Sequence, residues 1–93
     1  MNEQKRAIVT VVGNDRVGII ARICTELAKH NINVLDISQT ILAGTFTMVM
    51  AVDVSAMTDT FAQITEEFSA IGKEMGLSIR LQREEIFEAM HTI

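Results

Sequence analysis

A short polar loop, GNDRVG at residues 13–18, separates a β-branched run from a helical pattern and has residue types that could bind an anion. The first turn of an α-helix has unpaired backbone N–H groups and the positive end of the helix dipole, which together stabilise a carboxylate. Gly13 lets the chain turn sharply off the strand, and Gly18 lets a ligand approach the backbone closely. The Asp15 carboxylate could pair with an ammonium group. The loop is therefore a candidate site for a small zwitterion.

Asn33 is the second candidate, because it follows the predicted first helix at the start of the next strand. An amide both donates and accepts hydrogen bonds, so Asn33 could contact either end of a zwitterion. We expect Asn33 to close the site near a dimer interface. The predicted ligand-binding residues are Gly13, Asn14, Asp15, Val17, Gly18, Ile19 and Asn33.

Structural roles compete with ligand binding at these positions. Asp15 is placed to cap the first helix, and we favour this N-cap over a ligand contact. Gly18 can serve close packing of the helix on a strand, and Asn33 can satisfy backbone groups at the strand start. Arg16 is interpreted as a solvated loop charge, and Asn14 as a turn residue that bonds through its own side chain. The residues alone leave these alternatives open.

The elements that must position this loop are predicted from hydrophobic periodicity. Short β-branched or alternating runs predict strands, and apolar residues spaced by three and four predict amphipathic helices. The predicted strands cover 6–12, 32–42, 46–53 and 77–82, and the predicted helices cover 18–30, 61–75 and, as a short final helix, 84–90.

Residues suited to helix ends flank the two long helices. Asn31 and Gly76 are expected to adopt the left-handed conformation that ends a helix. Ser55 or Thr58 is expected to cap the start of the second helix through its hydroxyl group.

The order β-α-β-β-α-β predicts an α+β, ferredoxin-like fold. Both helices should cover one face of a four-stranded antiparallel sheet, and right-handed crossovers place the second and fourth strands at its edges. A chain of 93 residues predicts a single domain over 1–93, with its core over about 6–83. The edge position would expose unpaired backbone N–H and C=O groups of the second strand together with Ile37, Ile41 and Leu42, which favours a homodimer.

Composition argues against several classes of protein. The formal net charge is −4, whereas nucleic-acid-binding proteins usually have a basic surface. The chain has no Tyr or Trp, so it lacks most of the aromatic platforms on which bases stack. No apolar run reaches membrane-spanning length, and no signal peptide is evident, which together favour a cytoplasmic protein without membrane contact.

The residues able to do covalent or metal chemistry do not form a recognisable set. The single cysteine, Cys24, belongs to the apolar stripe of the first helix and is interpreted as a buried structural thiol. His30 ends that helix, where it would interact with the helix dipole. Glu66 and Glu67 are expected on a solvated face. We therefore predict no catalytic residues, no metal ligands and no cofactor.

Taken together with this order of elements, the loop motif resembles the ACT domain, a small regulatory module that binds amino acids. The residues are DRVG at 15–18, with LAKHNINV at 27–34 leading into the second strand. The segments LDISQTIL and FTMVMAVD resemble stand-alone bacterial ACT proteins related to the repressor of the glycine cleavage system. The resemblance implies that Asp15 and Asn33 occupy positions used for effector contacts. Val17 stands where many ACT domains have proline, so the loop should be less rigid.

The resulting hypothesis is a non-enzymatic regulatory domain that forms a homodimer, binds a small amino acid and acts on an unidentified regulated protein. One alternative is a structural or protein-interaction dimerisation module without a functional ligand site. A second alternative is a small enzyme that uses residues of a partner subunit across the interface.

Overall fold

The computed structural model describes residues 5–85, which form a four-stranded antiparallel sheet and two helices. The strand order β2-β3-β1-β4 places the second and fourth strands at the edges, as predicted. The predicted α+β, ferredoxin-like arrangement is therefore confirmed. The elements are β1 (Arg6–Asn14), α1 (Ile19–Lys29), β2 (Asn33–Leu42), β3 (Thr45–Asp53), α2 (Phe61–Met75) and β4 (Leu77–Arg83).

The core lies between one face of the sheet and both helices. Alternate residues of β1 and β3 point to this face, because successive strand side chains point to opposite sides. Ile64, Phe68 and Ile71 of α2 are buried against it, which confirms the amphipathic helix predicted over 61–75. Neither α1 nor α2 covers the opposite face, where Val12 and Val49 are exposed among residues 5–85. Within the described residues, no helix is long and apolar enough to cross a membrane.

Residues with positive φ make the sharp turns. Ala43 and Gly44, at φ 53° and 81°, connect β2 to β3 with the backbone signs of a hairpin turn. Asn31 follows α1 at φ 59°, and Gly76 ends α2 at φ 72°. These positive φ values confirm both helix-ending predictions. The physical reason is that asparagine and glycine adopt the left-handed conformation at low cost.

The predicted cap of α2 was wrong. Thr60, rather than Ser55 or Thr58, caps this helix and forms a capping box with Gln63. Ser55 instead donates its hydroxyl hydrogen to Asp53 at 2.7 Å. Of the predicted final helix over 84–90, the first two residues are helical and the remainder lies outside the described residues.

Candidate functional site

The start of α1 is open, because no side chain caps it. Gly18 occupies the N-cap position at φ 93° and ψ 1°, a left-handed conformation, with no side-chain cap hydrogen bond. Asp15 was the favoured cap, and this prediction was wrong. Its backbone N–H donates to the Gly44 carbonyl at 2.9 Å, which ties the loop to the β2–β3 turn rather than to the helix. The first-turn N–H groups of α1 therefore lack a carboxylate cap from this loop.

A groove of ≈ 260 Å³ lies beside this helix start. The loop and the first turn contribute Asp15, Gly18 and Ile19, while Gln39 and Ile41 of β2 form the opposite wall. A Cβ atom added at Gly18 would meet no heavy atom within 4 Å, so the backbone there is open to an approaching group. The groove thus combines unpaired helix N–H groups with a partly apolar wall, an arrangement that suits a small carboxylate with a short side chain.

The other loop residues differ in their roles. Gly13 remains in β1, where a Cβ atom would lie 2.5 Å from Leu77 Cδ2 and 3.0 Å from the Gly76 carbonyl oxygen. Gly13 is therefore required for packing against β4, and the sharp turn expected of it occurs at Gly18. Asn14 ends β1 opposite Thr45 of β3.

Two further residues of the loop reach outward. The Val17 side chain is 97% exposed, so it contacts almost nothing within its own chain. Arg16 donates to the Met75 carbonyl at 3.4 Å, so this residue, expected to be a solvated charge, approaches the end of α2.

Asn33 lies at the opposite end of the sheet from the loop. It pairs with Asp53, which pairs with Arg6 at the start of β1, whereas Asn14 at the end of β1 pairs with Thr45. At a rise of ~3.4 Å per residue, β1 separates these ends by about 27 Å. Asn33 therefore does not join the loop within one chain, and it lines a separate cavity of ≈ 330 Å³.

A cluster that sequence reasoning missed surrounds His30, at the other end of α1. Its side chain is 2% exposed. Nδ1 lies 2.5 Å from Asp59 Oδ2, and Nε2 lies 3.0 Å from Glu26 Oε2 and 2.9 Å from Glu67 Oε1. Lys29 Nζ lies 3.8 Å from both glutamates. We call these four residues, His30, Glu26, Asp59 and Glu67, the His30 cluster.

The predicted roles of two cluster members were incomplete. His30 does end α1, as expected. Its imidazole is buried and contacts three carboxylates, which the predicted interaction with the helix dipole did not include. Glu67, expected on a solvated face, reaches His30 from α2. The spacing of Glu26 and His30, four residues apart on one helix, was the available signal for this cluster.

Charge in the His30 cluster shifts two pKa values. Burial lowers the pKa of His30, but hydrogen bonds with Glu67, Asp59 and Glu26 outweigh burial and raise it above its ordinary value of 6.5. The pKa of Glu67 lies below its ordinary value of 4.5, first because of a hydrogen bond with Glu26 and then because of the one with His30.

The environment of Cys24 is that of a packing residue. Cys24, predicted to be buried, is half-buried and packs against the core. Beside it on α1, Arg22 forms an ion pair with Glu74 of α2 at 2.8 Å, where both side chains are exposed.

Comparisons with known proteins identify the family of this module of four strands and two helices. The ACT domain family matches residues 5–82. A UPF0237 protein from Bifidobacterium longum is 53% identical over 88 residues, which cover 95% of this chain and 98% of that relative. The chain therefore belongs to the ACT domain family.

Solved structures agree with this assignment. An ACT domain protein from Streptococcus pneumoniae superimposes with a TM-score of 0.79 and 38% identity, covering 92% of this chain and 97% of that one. A protein assigned as a glycine cleavage system transcriptional repressor superimposes with a TM-score of 0.72 and 19% identity, covering 88% and 47%. At that identity the second structure shares the fold. The predicted resemblance to such stand-alone proteins is confirmed.

Proposed function

We propose that this chain, as a single ACT domain, is a non-enzymatic sensor that binds a small amino acid and acts as a homodimer. The observation that carries the proposal is the start of α1, which lacks a side-chain cap and faces a groove at the edge of the sheet. Membership of a regulatory family supports the ligand-binding role. A carboxylate at the helix start would satisfy N–H groups that the chain itself leaves to solvent.

The edge strand β2 supports the homodimer. Ile37, Ile41 and Leu42 are 41%, 53% and 75% exposed along it. An exposed edge also presents unpaired backbone N–H and C=O groups, so pairing with a second copy would remove both liabilities. A two-fold axis is the commonest way for identical chains to close such a contact.

The same two-fold axis would bring the predicted site residues together. If β2 pairs with its copy in the antiparallel direction, the start of one strand lies beside the end of the other. Leu42 ends β2 near the 13–18 loop, because Leu42 and Asn14 both pair with Thr45. Asn33 of the partner subunit would then approach this loop, although Asn33 of the same chain is at the far end. The proposed ligand would contact Asp15, Gly18 and Ile19 of one chain and Asn33 of the partner subunit.

Calorimetric titration tests the site once a thermal-shift screen of the amino acids has found a ligand. Asn33→Ala should weaken binding by about 1–3 kcal/mol, because a buried ligand group loses its hydrogen-bond partner. Ser69→Ala, a polar-to-alanine change on the exposed face of α2, should leave affinity unchanged. If the wild type, Asn33→Ala and Ser69→Ala bind the ligand with equal affinity, the ligand does not contact Asn33 and the proposed site is wrong.

Sedimentation equilibrium at micromolar concentration tests the assembly separately. The wild-type chain should sediment as a species of twice 10.3 kDa. Ile41→Glu places a charge on the edge strand and should shift the equilibrium to monomer while retaining the fold by circular dichroism. A wild-type protein found only near 10.3 kDa contradicts the dimer and the shared site with it.

A dimerisation module without a ligand site is the second candidate, since two loop residues have structural roles. Gly13 avoids a clash with Leu77, and the Asp15 N–H bonds to Gly44. Ligand at a hundredfold excess over its Kd should add about 2.7 kcal/mol to the free energy of unfolding. A dimer that no amino acid stabilises would favour this second candidate.

A further inference from the structure

The His30 cluster lies away from the proposed amino-acid site and has the donor atoms of a metal centre. Glu26 and His30 come from the last turns of α1, Glu67 comes from the middle of α2, and Asp59 comes from the segment that precedes α2. The Nε2 atom and one oxygen of each glutamate all lie within 4.8 Å of one another. Three chain segments therefore converge on one point.

The hydrogen bond on the far side of the imidazole sets the state of Nε2. A neutral imidazole has one N–H, and the 2.5 Å contact with Asp59 places that hydrogen on Nδ1. Nε2 then presents a lone pair, on a side chain that is 2% exposed, toward two carboxylate oxygens. Ionised carboxylates cannot donate a hydrogen bond. Without a bound ion, a proton on Nε2 is donated to Glu26 Oε2 and Glu67 Oε1, so the atom has partners. When that proton leaves, Nε2 and the two carboxylate oxygens are three acceptors directed at one point.

A cation at the centre of the three lone pairs would take the place of the Nε2 proton, since metal ligands bind in their deprotonated forms. Metal bonds of ~2.0–2.2 Å to nitrogen and oxygen place neighbouring ligand atoms roughly 2.9–3.5 Å apart in octahedral or tetrahedral geometry. The observed separations from Nε2, 3.0 Å to Glu26 and 2.9 Å to Glu67, lie at the lower end of this range. Asp59 occupies the place of the outer carboxylate that orients a metal-bound histidine.

We propose that His30 Nε2, Glu26 and Glu67 bind a divalent first-row transition metal ion such as Zn²⁺, with Asp59 as the positioning residue. One imidazole and two carboxylates suit such ions, whereas Mg²⁺ and Ca²⁺ prefer oxygen ligands throughout. Three protein ligands leave a coordination position for water. Entry is from the Glu67 side, since that side chain is 41% exposed.

Lys29 supplies positive charge to the same carboxylates when the ion is absent. Its Nζ lies 3.8 Å from Glu26 and from Glu67, and its side chain is 64% exposed. Exposure lets the ammonium group move into solvent as the ion enters. A bound ion would cross-link α1 to α2 beside the start of β2, and its binding does not depend on the proposed amino-acid site.

Titration of the full-length, chelator-treated chain with Co²⁺ and Zn²⁺ tests the proposal. One equivalent of Co²⁺ should produce visible d–d absorption, and Zn²⁺ at a hundredfold excess over its Kd should raise Tm by about 10 °C or more. Glu67→Gln should weaken metal binding at least tenfold. Glu66→Gln, the same change at the exposed neighbouring residue, should leave it unchanged.

Asp59→Asn separates positioning from general stability. It keeps the size of the side chain and should weaken Co²⁺ binding by about 10- to 100-fold, as loss of an outer carboxylate does at other sites. Its Tm without metal serves as the folding control. The proposal is overturned if the wild type shows neither the absorption nor the Tm shift. Equal metal affinity of Glu67→Gln and the wild type also overturns it, because the ion would then bind elsewhere.

Discussion

The two ends of α1 are built in opposite ways. At its start, Gly18 occupies the N-cap position without a side-chain hydrogen bond, and Val17 is 97% exposed. At its end, the His30 side chain is 2% exposed and contacts three carboxylates, and Asn31 donates to the Ala56 carbonyl at 3.0 Å. One helix thus has an end that side chains hold to the rest of the domain and an end left available to an incoming group. We call the end at His30 the closed end and the start at Gly18 the open end. Local stability should be higher at the closed end, and conformational freedom should be greater at the open end.

The largest expected effect comes from breaking the closed end. His30→Ala leaves Glu26, Asp59 and Glu67 facing one another without the imidazole between them. The free energy of unfolding should fall by about 3 kcal/mol, at the lower end for a broken buried charged pair. The lower end applies because Asp59 and Glu67 remain 39% and 41% exposed.

Urea denaturation of chelator-treated protein at one fixed concentration measures this loss. Lys29→Ala, a change at the exposed neighbour, should cost within about 0.5 kcal/mol. If the two variants lose equal stability, the closed end is not held by His30.

At the open end, Gly18→Ala tests backbone geometry with little change in contacts. A Cβ atom meets no neighbour there, but the φ of 93° is unfavourable for any residue with a Cβ atom. The free energy of unfolding should fall by about 1–2 kcal/mol. Thermal denaturation at fixed protein concentration measures the change. Stability equal to that of the wild type would show that the loop relaxes to another conformation.

The starts of α1 and α2 form a second contrast, because α2 has a capping box. Thr60 accepts from the Gln63 N–H at 3.1 Å, and the Gln63 side chain accepts from the Thr60 N–H at 3.2 Å. Thr60→Ala should lower the free energy of unfolding by about 1 kcal/mol. Chemical denaturation provides the measurement. A neutral result would mean that water replaces the cap without loss.

The smallest effect is expected for Asp15→Ala, which removes the carboxylate once expected to cap α1. Since its backbone N–H makes the observed bond to Gly44, the side chain can be removed at a cost within about 0.5 kcal/mol. Denaturation beside Thr60→Ala compares the two helix starts directly. A loss of about 1 kcal/mol would instead show that Asp15 caps α1 in solution.

The amino-acid sequence by itself determined the elements, their order and most of their ends. Alternating residues in β3 and the spacing of Phe68 with its neighbours in α2 are local patterns, so they predict which face is buried. Asn31 and Gly76 were predictable for a similar reason, since positive φ depends on the side chain at that one position. The residue types of the 13–18 loop, with the DRVG motif at 15–18, indicated a candidate site without any tertiary information.

Tertiary structure alone decided which of these residues share a site. Asn33 follows α1 closely in sequence, but β2 is parallel to β1, so the strand begins at the end of the sheet away from the loop. The His30 cluster adds Asp59 and Glu67 to the local pair Glu26 and His30, and both lie farther along the chain than any local period. Competition among neighbours also chose Thr60 over Ser55, because Asp53 already accepts the Ser55 hydroxyl hydrogen. Contacts between distant segments depend on how helices dock on the sheet, and residue spacing does not contain that information.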